Sequence, residues 1–329
     1  MILVTGATGF IGSHLVRAFV ERGKEVRCLI RKGSNLERLK GLEVELYYGD
    51  LLDRDSLRNA AKGSEVVYHL AGVVYSLHPG DYYRVNVLGT ENLIDASISE
   101  GVKRFIYFSS IQAVGPNKRE GVLLDENTPC RPITPYGRSK LEAERIVLRF
   151  MKEGSLPSVI VRLPLVYGPG ASNCRSAILF RMIYKGIFKF IGKSESRLIS
   201  TCYIENLLKA LSLMEESERA SGNIYFIADG EPYPLGYISS IIAKELGVKR
   251  PQGRIPLWLA YIFAVFLFLP NKMLGFFPPL SFYTIRELIH HWACSFTLAE
   301  KDLGYKPEIS LEEGLKRTAK WYKESVFKN

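Results

Sequence analysis

"MILVTGATGFIGSHL" (residues 1–15) carries Gly6, Gly9 and Gly12 between a short apolar run and an amphipathic segment, Ile11 to Glu21. The order predicts strand, turn, helix. Glycine at such a turn adopts backbone angles that other residues resist, and glycine beneath a pyrophosphate lets the main chain come close. The helix start adds free N–H groups and a partial positive charge. The stretch therefore points to a bound dinucleotide, although its spacing is G-x-x-G-x-x-G where the usual fingerprint reads G-x-G-x-x-G.

Outward from this loop, "EVRCLI" (25–30), "EVELYYGD" (43–50), "EVVYHLAG" (65–72), "RFIYFSS" (104–110) and "SVIVRLPLVYG" (158–168) are further apolar runs. Segments with helical spacing, such as "DRDSLRNAAKG" and "NVLGTENLIDASISEG", separate them. This alternation predicts an α/β fold, a Rossmann-type doubly wound parallel sheet covered on both faces. After about Gly168 strands become sparse, and proline and aromatic residues gather between Tyr233 and Tyr283. The expected organisation is a dinucleotide-binding part over 1–168, joined by a strand returning from 223–228. A smaller, mostly helical substrate lobe over 169–329 would lie over the edge where the strands end. "SLEEGLKRTAKWYKES" (310–325) predicts an amphipathic helix capped by Ser310, with Glu313 three residues on as in a capping box.

The 329 residues, 47% hydrophobic and 24% charged, suffice for a large α/β unit with an appended lobe. The net charge of +10 is spread along the chain rather than gathered in a tail, so nucleic acid is not an expected partner. The five cysteines are far apart and lack C-x-x-C spacing, which predicts free thiols in a reducing, cytoplasmic compartment. Strand-like residues begin at Ile2, so no leader is expected. His69, His78, His290 and His291 show no zinc-site spacing, and no metal is expected. "LWLAYIFAVFLFL" (257–269) is an apolar run of thirteen, ended by Pro270, Asn271 and Lys272, short of the roughly 20 residues that spanning requires. The wider segment 256–283 reads either as a buried helix pair or as a peripheral contact with an anionic membrane.

"TPYGRSKLEAERIVL" (134–148) and "FIYFSSIQAVGPN" (105–117) carry the candidate chemistry. Tyr136 and Lys140 are four apart and share a helix face. A tyrosine titrates near 10, too high for a base at neutral pH, and a neighbouring ammonium together with a positive nicotinamide ring would lower it. Ser109 and Ser110 end an apolar strand, and ligands gather at the carboxyl ends of parallel strands. Arg31 and Lys32 end the second strand where a carboxylate would serve NAD. A guanidinium there binds a 2′-phosphate instead, so NADP is expected, with NAD the alternative.

These motifs resemble the extended branch of the short-chain dehydrogenase/reductase superfamily, and the likeness runs from Met1 to about Tyr322. It implies a Ser–Tyr–Lys triad. Counting back five from Gly115 selects Ser110 over Ser109, with Tyr136 and Lys140 completing the set. Asn86, in "YYRVNVLGTENL", would steady the active-site helix. The resemblance implies cofactor contacts from Gly6, Thr8, Gly9, Phe10, Ile11, Gly12, Asp50, Leu51, Leu70, Ala71, Gly72, Ser109, Tyr136, Lys140, Pro164 and Val166. Substrate contacts are expected from Val74, Ser110, Gln112, Tyr136 and Arg197. A homodimer through helices including that of Tyr136 is common in the superfamily and is expected here.

"FIYFSSIQAVGPN" is most similar to the 3β-hydroxysteroid dehydrogenase branch, and the basic residue after the second strand is shared with dihydroflavonol-reductase-like enzymes. Both imply an alcohol/ketone interconversion on an apolar, steroid-like or long-chain small molecule. Arg197, in "IGKSESRLISTCYIENLLKA", keeps a nucleotide-sugar epimerase or reductase open as the alternative. A catalytically weak NADP-binding sensor or scaffold is a third reading, disfavoured because Tyr136 and Lys140 are both present. Ile111 and Gln112 follow Ser110 where a dehydratase would need an acidic pair.

Overall fold

Seven strands form one sheet in the computed structural model, which describes residues 1–119, 121–172, 174–273 and 281–327. They are β1 (Ile2–Thr5), β2 (Val26–Ile30), β3 (Glu45–Tyr48), β4 (Val66–His69), β5 (Arg104–Ser110), β6 (Ser158–Leu163) and β7 (Ile224–Phe226). Their order is β7-β6-β5-β4-β1-β2-β3, and every neighbouring pair is parallel. The order reverses direction between β1 and β4, the point where a doubly wound sheet opens a crevice at its carboxyl edge.

Side chains of a strand alternate between faces, and β1 shows the result. Ile2 and Val4 join one apolar cluster with Leu15, Val16, Phe19, Tyr68 and Ile106. Leu3 joins the other, with Val67, Phe105, Tyr107 and Ile160. With helices on both sides the inner strands are mostly apolar, and all six residues of β6 are buried, Ser158 and Arg162 among them. β3 lies at the edge and leaves Tyr48 exposed.

The segment after β6 adds three short strand pairs, Leu165–Tyr167 with Thr201–Tyr203, Leu198–Ile199 with Tyr233–Pro234, and Phe190–Ile191 with Arg254–Ile255. The helix Ile204–Glu216 and the last helix, Leu311–Ser325, place Leu207, Leu211, Leu315 and Tyr322 in the same cluster as Ile2 and Val4. Ser310 caps that last helix by accepting from the Glu313 N–H at 3.3 Å. The Glu313 carboxylate takes Arg317 at 2.7 Å. All five cysteines are free.

The apolar run forms a helix over Leu257–Met273, one turn beyond the stop expected at Pro270. A proline near a helix end forfeits one backbone bond, a smaller loss than in mid-helix. Ala260 and Ala264 pack against Ile191, Ile255 and Ile285, while Trp258 and Phe266 are 65% and 72% exposed. Residues 274–280 of the segment singled out above lie outside the described residues. Among the described residues no helix is long and apolar enough to cross a membrane.

Candidate active site

With every strand parallel, the loops after β1 to β6 open on one edge, and the residues expected to bind the cofactor lie along it. After β1 the chain turns at Gly6 (φ +72°) into the helix Phe10–Glu21. A Cβ at Gly12 would lie 2.2 Å from the Gly6 carbonyl oxygen, and one at Gly6 would lie 2.8 Å from the Ala71 nitrogen, so neither position tolerates a side chain. Gly9 caps the helix without any side-chain bond, and its first turn holds no carboxylate. An uncapped, unneutralised helix start over a glycine cradle fits a pyrophosphate. Phe10 and His14 face the Gly168–Gly170 loop, where His14 Nε2 is 2.9 Å from the Pro169 oxygen. Arg38, which the sequence did not single out, reaches the same loop at Gly170 and Ser172. Arg31 and Lys32 are exposed beyond β2, as is Asp50 beyond β3. Leu51 instead packs inward, 7% exposed, beneath Gly89.

Thr134 starts the helix Pro135–Lys152 by accepting from the Gly137 N–H at 2.9 Å, with Pro135 in the first turn, where no donor is needed. That start sets Tyr136 near the end of β5, where Ser110 is close enough to oppose the rise of the Tyr136 pKa and its hydroxyl accepts from the Gln112 N–H at 3.2 Å. Lys140 follows one turn later, 5% exposed, with Nζ 4.3 Å from the centroid of the Tyr107 ring. Asn86 is buried on a π-helical turn, Tyr82–Leu88. Its amide clamps Val73 from both sides, at 2.7 Å and 2.9 Å, and donates to Ser139 Oγ at 2.9 Å. Asn86 thus ties the loop after β4 to the Tyr136 helix.

Behind Lys140 lies a one-way hydrogen-bonded chain. The Ala71 N–H donates to Thr5 Oγ1, which is 2.7 Å from His69 Nδ1. His69 Nε2 is 3.0 Å from Thr90 Oγ1, which donates to the Asn86 carbonyl at 2.6 Å. With Thr90 committed as a donor, the His69 proton belongs on Nε2. Burial and the Lys140 charge hold His69 down to about 3, so it stays neutral.

Three further expected contacts are arranged differently, and so is the expected titration of Tyr136. Ser109 Oγ donates to Glu144 at 2.5 Å, so any cofactor contact from Ser109 falls to its main chain. The Gln112 side chain accepts from Thr134 at 2.8 Å and is 8% exposed, which makes it a support of the helix start rather than a wall of the cleft. Arg197 is held by His291 at 2.7 Å. The cation that acts most strongly on Tyr136 is Arg175, which lies 5.8 Å from the Tyr75 ring centroid and is ion-paired with Glu287. Finally, the Tyr136 pKa is not lowered as expected. Burial raises Tyr136 to about 12, against the opposing effects of Arg175 and Ser110. Burial also brings Lys140 down to about 7, with Glu144 opposing. Val74 is 42% exposed on the loop that Asn86 holds, and Pro164 and Val166 are half-buried just beyond β6.

The Lys140 value has a stability consequence. An unfolded lysine keeps its proton to about pH 10. Between pH 7 and 10 the unfolded chain therefore binds more protons at this site, and stability rises with pH. The penalty of burying the charge is fully present below pH 7 and fades towards pH 10, an effect of roughly 4–5 kcal/mol. Cofactor-free Lys140→Met should accordingly melt higher than the native protein at pH 6.5 and converge with it near pH 10. Parallel melting profiles for the two proteins would contradict the assignment.

Residues 2–228 match the model of the NAD dependent epimerase/dehydratase family. The 2-alkyl-3-oxoalkanoate reductase of Stenotrophomonas maltophilia (strain K279a) is 32% identical over 327 residues, covering 96% of this chain and 97% of that protein. Among solved structures, gox2253 superposes with a TM-score of 0.83 at 29% identity, covering 99% of this chain and 98% of that one. MoeE5 in complex with UDP-glucuronic acid and NAD superposes with a TM-score of 0.79 at 25% identity, covering 99% of both chains. The glycine loop, the sheet order and the full-length likeness agree, and the chain belongs to the NAD-dependent epimerase/dehydratase family.

Proposed function

We propose that this protein is an NADP-dependent oxidoreductase that interconverts a ketone and an alcohol on an apolar substrate. The observation that carries the reading is the grouping of Ser110, at the carboxyl end of β5, with the buried Tyr136 that it acts on and Lys140 one helical turn behind. The glycine cradle and the Phe10–Glu21 helix start would hold the pyrophosphate, Arg31 and Lys32 the 2′-phosphate, and Lys140 the nicotinamide ribose. A bound nicotinamide supplies or accepts the hydride. Ser110 and Tyr136 orient the substrate oxygen, and Tyr136, protonated at neutral pH, delivers the proton when that oxygen becomes an alcohol. Asn86 keeps the helix in register with the loop after β4.

The substrate class rests on two supports. Tyr75 and Tyr82 lie close enough to Tyr136 to act on its titration, and Tyr283 acts in turn on Tyr82, so the surroundings are aromatic. The full-length relative from Stenotrophomonas reduces a ketone flanked by alkyl chains. Arg175 adds a cation beside Tyr136, suited to a carboxylate one carbon from the ketone. The likeness to MoeE5 favours a second reading, a nucleotide-sugar epimerase. The two separate in one assay. Consumption of NADPH with a 2-alkyl-3-oxoalkanoate, faster than of NADH, is the expected result. Interconversion of UDP-sugars with no net consumption would replace it by the second reading. Equal rates with NADH would remove the role given to Arg31 and Lys32.

A further inference from the structure

Over its described side chains, 257–267, the helix that begins at Leu257 buries only a narrow strip. Ala260 and Ala264 face inward, whereas Trp258, Ile262, Phe263, Val265 and Phe266 are 42–72% exposed. The next helix, Phe282–Leu288, packs alongside through Tyr261 and Phe282, whose rings are 5.9 Å apart, and exposes Phe282 and Tyr283. The result is a convex aromatic ridge. A patch of this kind on a soluble surface marks an interaction site.

Charge identifies what covers it. The strand Arg254–Ile255 leads into the helix and pairs with Phe190–Ile191, which brings two basic segments to its amino end. Lys185, Lys189 and Lys193 come from one, Lys249, Arg250 and Arg254 from the other, and all six are exposed. Glu195 lies among them and pairs with Arg250 and Arg254. Ile187, 56% exposed, stands between Lys185 and Lys189. A convex ridge with a tryptophan at its basic end suits a fluid acyl layer better than a shaped protein groove. Bulky aromatics flanked by lysine and arginine are also the composition that settles in the interface of anionic lipid.

We infer that this face docks the protein on an anionic membrane surface, with Trp258, Phe263 and Phe266 in the headgroup and acyl boundary and the six basic side chains on the lipid phosphates. The helix would lie in the plane of the bilayer. The inference concerns the location of the protein and stands apart from the identity of its substrate.

The test is cosedimentation of the full chain with vesicles of phosphatidylcholine, alone or with a third phosphatidylglycerol, at low and high salt. Binding is expected to the anionic vesicles and to weaken with salt. Lys189→Gln with Lys193→Gln should weaken it about 25-fold, about fivefold per charge removed. Trp258→Ser with Phe266→Ser should weaken it at least about tenfold. The emission of Trp258 should shift to the blue on binding, a shift missing from Trp258→Phe. All these side chains are exposed, and unchanged melting temperatures would show that the variants fold. Absence of binding to anionic vesicles, or binding indifferent to both pairs of substitutions, would overturn the inference. So would a native dimer that the Trp258/Phe266 pair dissociates without any vesicle binding, which would assign the ridge to a second copy of the chain.

Discussion

Tyr136→Phe should lower turnover by about 10²–10⁴-fold, the range that a positioned acid or base contributes. The substitution keeps the ring and removes the hydroxyl whose titration Ser110 and Arg175 influence. Burial pushes that hydroxyl up to about 12, so it holds its proton at neutral pH, the form that the proposed reduction of a ketone would require. Lys140, brought down to about 7, is poised to gain or lose its charge as its surroundings change. Binding of NADPH, followed by fluorescence, should be unchanged in Tyr136→Phe, because the glycine cradle and Arg31 lie on other loops. Turnover within about tenfold of native would remove Tyr136 from the proton step. Loss of NADPH binding would show that the ring shapes the cofactor site.

Glu144→Ala should cost about 3–5 kcal/mol of stability, the penalty for leaving a buried charge without its partner. Glu144 and Arg162 are 1% and 3% exposed. Arg162 donates to both carboxylate oxygens, from Nε at 3.0 Å and from Nη2 at 2.8 Å, and Ser109 supplies a further donor. Burial opposes the Arg162 charge and Glu144 sustains it, and a guanidinium does not give up its proton in a protein, so removal of Glu144 leaves a buried cation without its main partner. Urea unfolding followed by circular dichroism measures the loss. The double substitution Glu144→Leu with Arg162→Met should recover most of it, since an apolar pair avoids the desolvation of two ions. A single-variant loss below about 1 kcal/mol would mean that water reaches Arg162 and screens it. Glu144 also raises Lys140, one turn before it on the same helix. The double variant should therefore be stable yet release the Lys140 proton at lower pH.

What the sequence disclosed about the site was local. The glycine loop works through neighbouring residues, the Tyr136–Lys140 pair through helical spacing, and Ser110 through its place at a strand end. The fold followed from the alternation of apolar strands with amphipathic helices, because burial on both faces forces continuous apolar runs on β1, β5 and β6. What escaped was set by packing between distant segments. Glu144 meets Arg162 and Ser109 only because β5 and β6 are neighbours beneath the Tyr136 helix. Arg175 reaches Tyr136 through the course of the loop after β6, and no spacing rule distinguished it from Arg197. Gln112 read as a cleft residue because it follows Ser110, but the short turn Ile111–Val114 rotates it onto Thr134.

The position of β7 has a consequence for synthesis. β6 pairs with β5 on one side and with β7 on the other, and β7 consists of residues 224–226. On the ribosome, strands β1 to β6 emerge first, and the outer edge of β6 then offers its main-chain groups to any strand that arrives. Until β7 emerges the nascent chain carries the kind of open edge that invites pairing between chains. The stretch made in that interval, Leu165 to Asn223, includes the strand Leu165–Tyr167 and the helix Ile204–Glu216. Both pack into the first core cluster, so the sheet and the segment after β6 mature together during translation.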